Sequence, residues 1–279
     1  IIMNYKILEN FIDKSLCSDL IKDADTFSGN DHIQVLNNRL LLPSSSLSFL
    51  NLLDKSQSWR KIHNKLNSQN FLDTLLKLLN LEKQNFLVTN YFFDYEPSKI
   101  HRKYKELNSK NISTIGSVNL VFYILYKFYR FIKRKFKYSL SSKSYVELLY
   151  DYSKSPNGYK REIHRDSDSR TIVFLIYLND LNENGSGGDL KLHKYIKNEK
   201  KIPAQPSENE CSLIDTISPK KGKLVIFLNS HDSLHSVSEM KNHKGYRHFL
   251  YGSFTLLGKK NNFLSKSFNK LKTNFNIFE

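Results

Sequence analysis

His164 and Asp166 stand two residues apart in the run Ile163-His164-Arg165-Asp166. Near the end of a strand, a period of two turns both side chains to one face, so an imidazole and a carboxylate would meet there. These are two of the three ligands of a 2-His-1-carboxylate facial set. Such a set leaves positions open on an octahedral iron(II), enough for a bidentate co-substrate and dioxygen. It needs a second histidine from a distant strand, because the ligands must close around the ion. His235 is the expected third ligand, following the apolar run Leu224 to Leu228. His231 lies nearby in what reads as a loop, and His193, His243 and His248 are weaker alternatives. An H-x-D pair alone is also what two hydrogen-bonded residues at a strand end look like, so the surrounding elements must separate the two readings.

From Ser144 onward, segments with β-branched and aromatic residues follow one another: 144–152, 159–166, 171–179, 189–193, 223–228 and 247–256. Turn residues separate them, at Pro156-Asn157-Gly158, between Asn182 and Gly188, and between Pro219 and Gly222. Many short strands so punctuated predict a sandwich or jelly roll. Upstream, residues 5–27 read as a short strand and a helix capped by Asp13 or Ser15, with Leu16, Leu20, Ile21 and Ala24 buried. Residues 47–80 read as two helices with Trp59 between them, and 85–95 as a strand. The expected class is α+β, mainly β, with supporting N-terminal helices. The expected organisation is one catalytic unit: support (1–95), an inserted polar loop and basic amphipathic helix (96–143), the core (144–258) and a basic tail (259–279).

The helix at 118–138 carries six basic residues and no acid. Val118, Val121, Phe122, Leu125, Phe128, Tyr129, Ile132 and Phe136 share one face, with Lys127, Arg130, Arg134 and Lys137 opposite. That face is expected to bury against its own domain. The alternative is a helix lying on an anionic membrane surface, and the segment is too charged to span a bilayer.

The order of segments after His164 resembles the prolyl-4-hydroxylase-like branch of the 2-oxoglutarate/Fe(II) dioxygenases. That pattern runs Tyr, H-x-D, an apolar strand ending Tyr-Leu-Asn, Gly-Gly-x-Leu, Pro-x-x-Gly-x-Leu-Val-x-Phe, His-x-Val, and Arg or Lys opening a last strand. Residues 148–256 show each in order, and Phe11 to Ile21 is similar to the family's lead-in helix. The resemblance implies a double-stranded β-helix core, Fe(II), 2-oxoglutarate and dioxygen, with ascorbate an optional addition. It implies His164, Asp166 and His235 as the metal-binding and catalytic residues. Arg247 would hold the distal carboxylate of 2-oxoglutarate, since a guanidinium fork matches a carboxylate. Tyr152 and Tyr177 would line the co-substrate pocket, although each is equally an ordinary core aromatic. Arg170 would contact substrate or pair with Asp168. The chain departs from the pattern in the long insertion between Tyr95 and Ser144, and in the 12-residue step from His235 to Arg247.

The implied reaction is oxidative decarboxylation to succinate and CO2 coupled to hydroxylation of a peptidyl, glycan or small-molecule C–H bond. Demethylation or ring closure would use the same fold, whereas Asp166 argues against halogenation, which needs the carboxylate position vacant. The rival from another class is a non-catalytic binding module docking to acidic membrane or nucleic acid through 118–138. No obligate protein partner is indicated.

Composition bounds these readings. The chain has 279 residues, 39% hydrophobic and 13% aromatic, too apolar for a disordered protein. Two cysteines form neither a disulfide framework nor a C-x-x-C zinc site. A formal charge of +16 favours anionic partners but is also what a Lys- and Asn-rich composition produces. Cysteine usage and the first residues, Ile1-Ile2-Met3-Asn4-Tyr5-Lys6, give a cytoplasmic expectation.

Overall fold

Alternation of apolar residues in the second half of the chain closes two sheets around an apolar core. The computed structural model describes residues 3–27, 34–36, 38–89, 103, 116–134, 144–181, 185–198 and 201–257. The chain divides into two compact units, Ile1–Gln84 with Leu148–Phe254, and Asn85–Glu147 with Thr255–Glu279. In chain order the elements are β1 (Tyr5–Leu8), α1 (Lys14–Phe27), β2 (Gln34–Leu36), β3 (Arg39–Pro43), α2 (Leu47–Lys55), α3 (Gln57–Leu66), α4 (Gln69–Leu78), β4 (Phe86–Val88), α5 (Ser117–Arg134), β5 (Ser144–Ser155), β6 (Arg161–His164), β7 (Arg170–Tyr177), β8 (Leu190–Tyr195), β9 (Cys211–Ile217), β10 (Leu224–Leu228), β11 (Leu234–Val237) and β12 (Arg247–Leu257).

In the first unit the larger sheet runs β1-β10-β7-β12-β5-β3-β2 and the smaller runs β6-β11-β8-β9. Val173, Leu175 and Tyr177 of β7, Val225 and Phe227 of β10 and Phe249 of β12 meet Leu190 and Leu192 of β8 and Ile217 of β9 in one buried cluster. This is the inner face of the larger sheet. Its other face carries Tyr150, Tyr152, Phe174 and Phe254, against which the N-terminal helices lay Phe49, Trp59 and Phe71 at ring separations of 5.5 to 6.1 Å. A strand period of two therefore sorts β5, β7 and β12 into a helix-covered side and an inner side.

Residues 47–80 form three helices rather than the expected two, and Trp59 lies within α3. The cause is a repeated cap. Ser46, Ser56 and Ser68 each accept a hydrogen bond from the backbone three residues on, at Phe49, Trp59 and Phe71 (3.1, 3.0 and 3.1 Å). Ser56 ends α2 and starts α3 without a linker. In α1, Leu20 and Ala24 are buried as expected, joined by Cys17, while Leu16 and Ile21 are half-buried. Four strands escaped the pattern: the short β2, β3 and β11, the last carrying His235, and β9, in which only Ile217 is buried.

In the second unit β4 pairs in parallel with Ser144–Val146 of β5. The helix α5 contradicts the expected packing. Val118, Val121, Leu125, Phe128, Tyr129 and Ile132 are exposed, whereas Tyr123, from the other side of the helix, is buried. Apolar residues occur round most of its circumference, so periodicity alone did not choose the buried side. Residues 90–95 of the expected strand, 96–102 and 104–115 of the polar loop, 135–143 with Phe136, and the tail 259–279 lie outside the described residues.

Candidate metal centre

The smaller sheet brings the two histidines together. In the β6–β11 pairing His164 stands opposite His235, and their rings lie 4.4 Å apart. Asp166, two residues beyond His164, turns its carboxylate to the same place. His164, Asp166 and His235 each offer a ligand atom within 4.8 Å of the others, and they are the one such group among the described residues. His231 is instead tied to Arg165 through its Nδ1. His193 bonds Ser236, His243 bonds the Ser186 carbonyl, and His248 bonds Tyr152.

The tautomers suit metal binding. His164 Nδ1 lies 2.8 Å from the Glu162 carbonyl and His235 Nδ1 lies 3.1 Å from the Ser233 carbonyl. A carbonyl only accepts, so each Nδ1 must carry a proton, the tautomer that in a neutral ring leaves Nε2 its lone pair for a metal. Burial, then the neighbouring His235 ring, holds the His164 pKa down to about 4, so the ring is neutral.

The Asp166 carboxylate is divided between two tasks. Oδ1 accepts from Arg170 Nη1 (2.8 Å) and from the Tyr251 hydroxyl (2.7 Å). Oδ2 is buried without a hydrogen-bond partner and lies 3.8 Å from His235 Nε2. An orphaned, buried carboxylate oxygen beside two imidazole lone pairs is costly unless a cation sits among them. Burial alone would raise the Asp166 pKa, but His235, Arg170, the Tyr251 hydrogen bond and His164 together lower it. The donor set of two imidazoles and one carboxylate fits a divalent iron with open positions.

Arg247 opens β12 and is 1% exposed, an unusual burial for a guanidinium. Nη2 donates to the Tyr177 hydroxyl (3.3 Å), and the guanidinium carbon lies 4.5 Å from the Phe249 ring centre and 5.1 Å from that of Tyr177. Its Nε has no partner, and among the described residues no carboxylate pairs with it. A buried fork without an anion is a binding site for one. The long step from His235 is taken up by a loop in which Asn242 and Gly245 adopt positive φ (60° and 85°) and Lys241 bridges back to Ser186. The Pro-Lys-Lys-Gly turn holds Tyr177 in place: Gly222 N donates to the Tyr177 carbonyl (2.8 Å), and at φ +83° a side chain there would strike the Ile12 carbonyl.

Two expectations are corrected. Tyr152 does not face the site. It lies on the helix-covered side of β5, edge-to-face with Trp59 at 5.5 Å and with its hydroxyl 2.8 Å from His248 Nδ1. Alternation assigns its neighbour Asp151 to the inner side, where Arg39 and Arg170 both act on it. Arg170 pairs with Asp166 and Tyr251 rather than Asp168, which pairs with Arg165 (3.4 Å). Tyr251 was not singled out in the sequence. The signal available was its position four residues after Arg247, on the same strand face.

Residues 149–253 match the model of the 2OG-Fe(II) oxygenase superfamily. Proteins of this superfamily work with Fe(II), 2-oxoglutarate and dioxygen. Among solved structures the chain is similar to a prolyl-4-hydroxylase from Pseudomonas putida (13% identity, TM-score 0.41, covering 91% of this chain and 92% of that one). It is also similar to a prolyl 4-hydroxylase from Phytophthora capsici (13%, TM-score 0.48, 93% and 60%) and to a viral collagen prolyl hydroxylase from Paramecium Bursaria Chlorella virus-1 (14%, TM-score 0.41, 90% and 89%). No curated protein matches the sequence.

Proposed function

We propose that this chain, whose residues 149–253 match the 2OG-Fe(II) oxygenase model, is a member of that superfamily and hydroxylates a C–H bond of a peptidyl, glycan or small-molecule substrate, releasing succinate and CO2. The two facing sheets are read as a double-stranded β-helix of the prolyl-4-hydroxylase-like branch. The observation that carries the reading is a pair of unsatisfied charges on one inner surface. Asp166 Oδ2 lacks a cation, and the buried Arg247 lacks an anion. Iron answers the first and the distal carboxylate of 2-oxoglutarate the second.

His164 Nε2, His235 Nε2 and Asp166 Oδ2 would hold the iron. When bound, the metal supplies dioxygen activation coupled to decarboxylation of the co-substrate. The protein's residues do the rest. Arg247 and the Tyr177 hydroxyl hold the far carboxylate, which fixes the reactive end of the co-substrate relative to the three ligands. Arg170 and Tyr251 occupy Oδ1, so Asp166 presents a single oxygen and open positions are kept. Phe227 (5.0 Å from the His235 ring) and Phe249 form an apolar wall that keeps water from the oxidant.

The test is anaerobic addition of Fe(II) and 2-oxoglutarate, following the weak visible metal-to-ligand charge-transfer band. Wild type should show the band, His164→Ala, Asp166→Ala and His235→Ala should lose it, and Arg247→Ala should need roughly 10- to 100-fold more 2-oxoglutarate. A folded wild type without the band would sink the dioxygenase reading in favour of a binding module.

A further inference from the structure

Helix α5 presents apolar residues to solvent that the oxygenase chemistry does not use. Val118, Val121, Ile124, Leu125, Phe128 and Phe131 are all more than half exposed, with Val118 at 81% and Leu125 at 62%. At 100° per residue these positions fall within one continuous arc of the helix. Lys127, Arg130, Lys133 and Arg134 fall outside that arc by position, and Lys127 lies next to its edge. Monomeric proteins rarely leave such an arc in water unless it is a binding surface.

We infer that α5 is an in-plane anchor that seats this arc at the headgroup boundary of an anionic lipid bilayer. Charge complementarity selects the occupant. Between Glu106 and Glu147 the chain has eight lysines and arginines and no acidic residue, within a protein of formal charge +16. Apolar side chains entering the acyl boundary with basic residues beside anionic headgroups are what an interfacial helix requires. The helix lies on the membrane rather than across it, since no described helix is long and apolar enough to cross. A nucleic acid would use the charge but leave the aliphatic Val118, Val121 and Leu125 without a partner. A second copy would bring one basic segment against another.

The test uses the full chain with vesicles of phosphatidylcholine alone and of phosphatidylcholine with phosphatidylserine, by co-sedimentation. Binding should favour the anionic vesicles and weaken as salt rises. The exposed pair Leu125→Glu/Phe128→Glu should lower it by more than about tenfold without changing the melting temperature. Leu125→Trp should give a blue-shifted emission on anionic vesicles alone, against the constant signal of the buried Trp59. No binding to anionic vesicles, equal binding by the double Glu variant, or a variant effect confined to self-association or RNA binding would each overturn the inference. None of these readouts depends on iron or 2-oxoglutarate, so the anchor and the oxygenase reading can fail separately.

Discussion

At the scale of single residues, the centre is held together by what surrounds its ligands. Asp166 offers Oδ2 because Arg170 and Tyr251 both occupy Oδ1. Tyr251→Phe and Arg170→Gln should each weaken Co(II) or Mn(II) binding by about 10- to 100-fold, with Arg170→Lys recovering part of the loss. Calorimetric titration of the metal-free protein measures this directly, and unchanged affinity in both variants would show that Oδ1 needs no support. The sequence displayed His164, Asp166 and His235 but not this pairing. Arg170 has Asp168 two residues and Asp166 four residues before it, and only the turn into β7 decides that it reaches the more distant one.

At the scale of elements, the N-terminal helices set the position of the strands that carry Arg247 and Tyr251. Their caps are local and legible: each Ser-x-x-aromatic run starts a helix whose aromatic then packs on the larger sheet. Ser68→Ala should cost about 1 kcal/mol, read as a lower denaturant midpoint with unchanged slope. Trp59→Ala should cost about 3 to 5 kcal/mol, because the fully buried indole packs on Phe49 and Tyr152 and donates to the Leu20 carbonyl (3.0 Å). The reverse ranking in equilibrium unfolding would place the stabilising core elsewhere. In α5, by contrast, apolar residues on more than one side left the buried face undetermined until the fold was known.

At the scale of the whole molecule, buried histidines couple stability to pH. Burial lowers the pKa of His63 to about 4, and burial does the same for His248, the two rings hydrogen-bonding Tyr150 and Tyr152 of β5. The unfolded chain titrates near 6.5, so it takes up protons first as the pH falls. Stability is therefore complete above about pH 6.5 and declines toward pH 4, by on the order of 2 to 3 kcal/mol for each ring. Thermal melts should be flat from about pH 7 to 8 and fall steeply below about 6.5, less so in His63→Gln. A flat profile down to about pH 4.5 would mean that these rings are protonated in the folded state.

The sequence by itself brought out the cluster of His164, Asp166 and His235, the arginine Arg247 that opens the last strand, and the mainly β class. A period of two places His164 and Asp166 together, and the order of turn and strand signals, through the resemblance it carries, points to His235 and Arg247. Only the tertiary structure decided which face of each strand looks inward. Tyr152 and Asp151 are neighbours with opposite surroundings, and the difference is the helix layer laid on one side of β5. It also decided which charges go unanswered. That Asp166 Oδ2 and Arg247 Nε are buried without partners is a property of packing among strands far apart in the chain, and no local pattern encodes it.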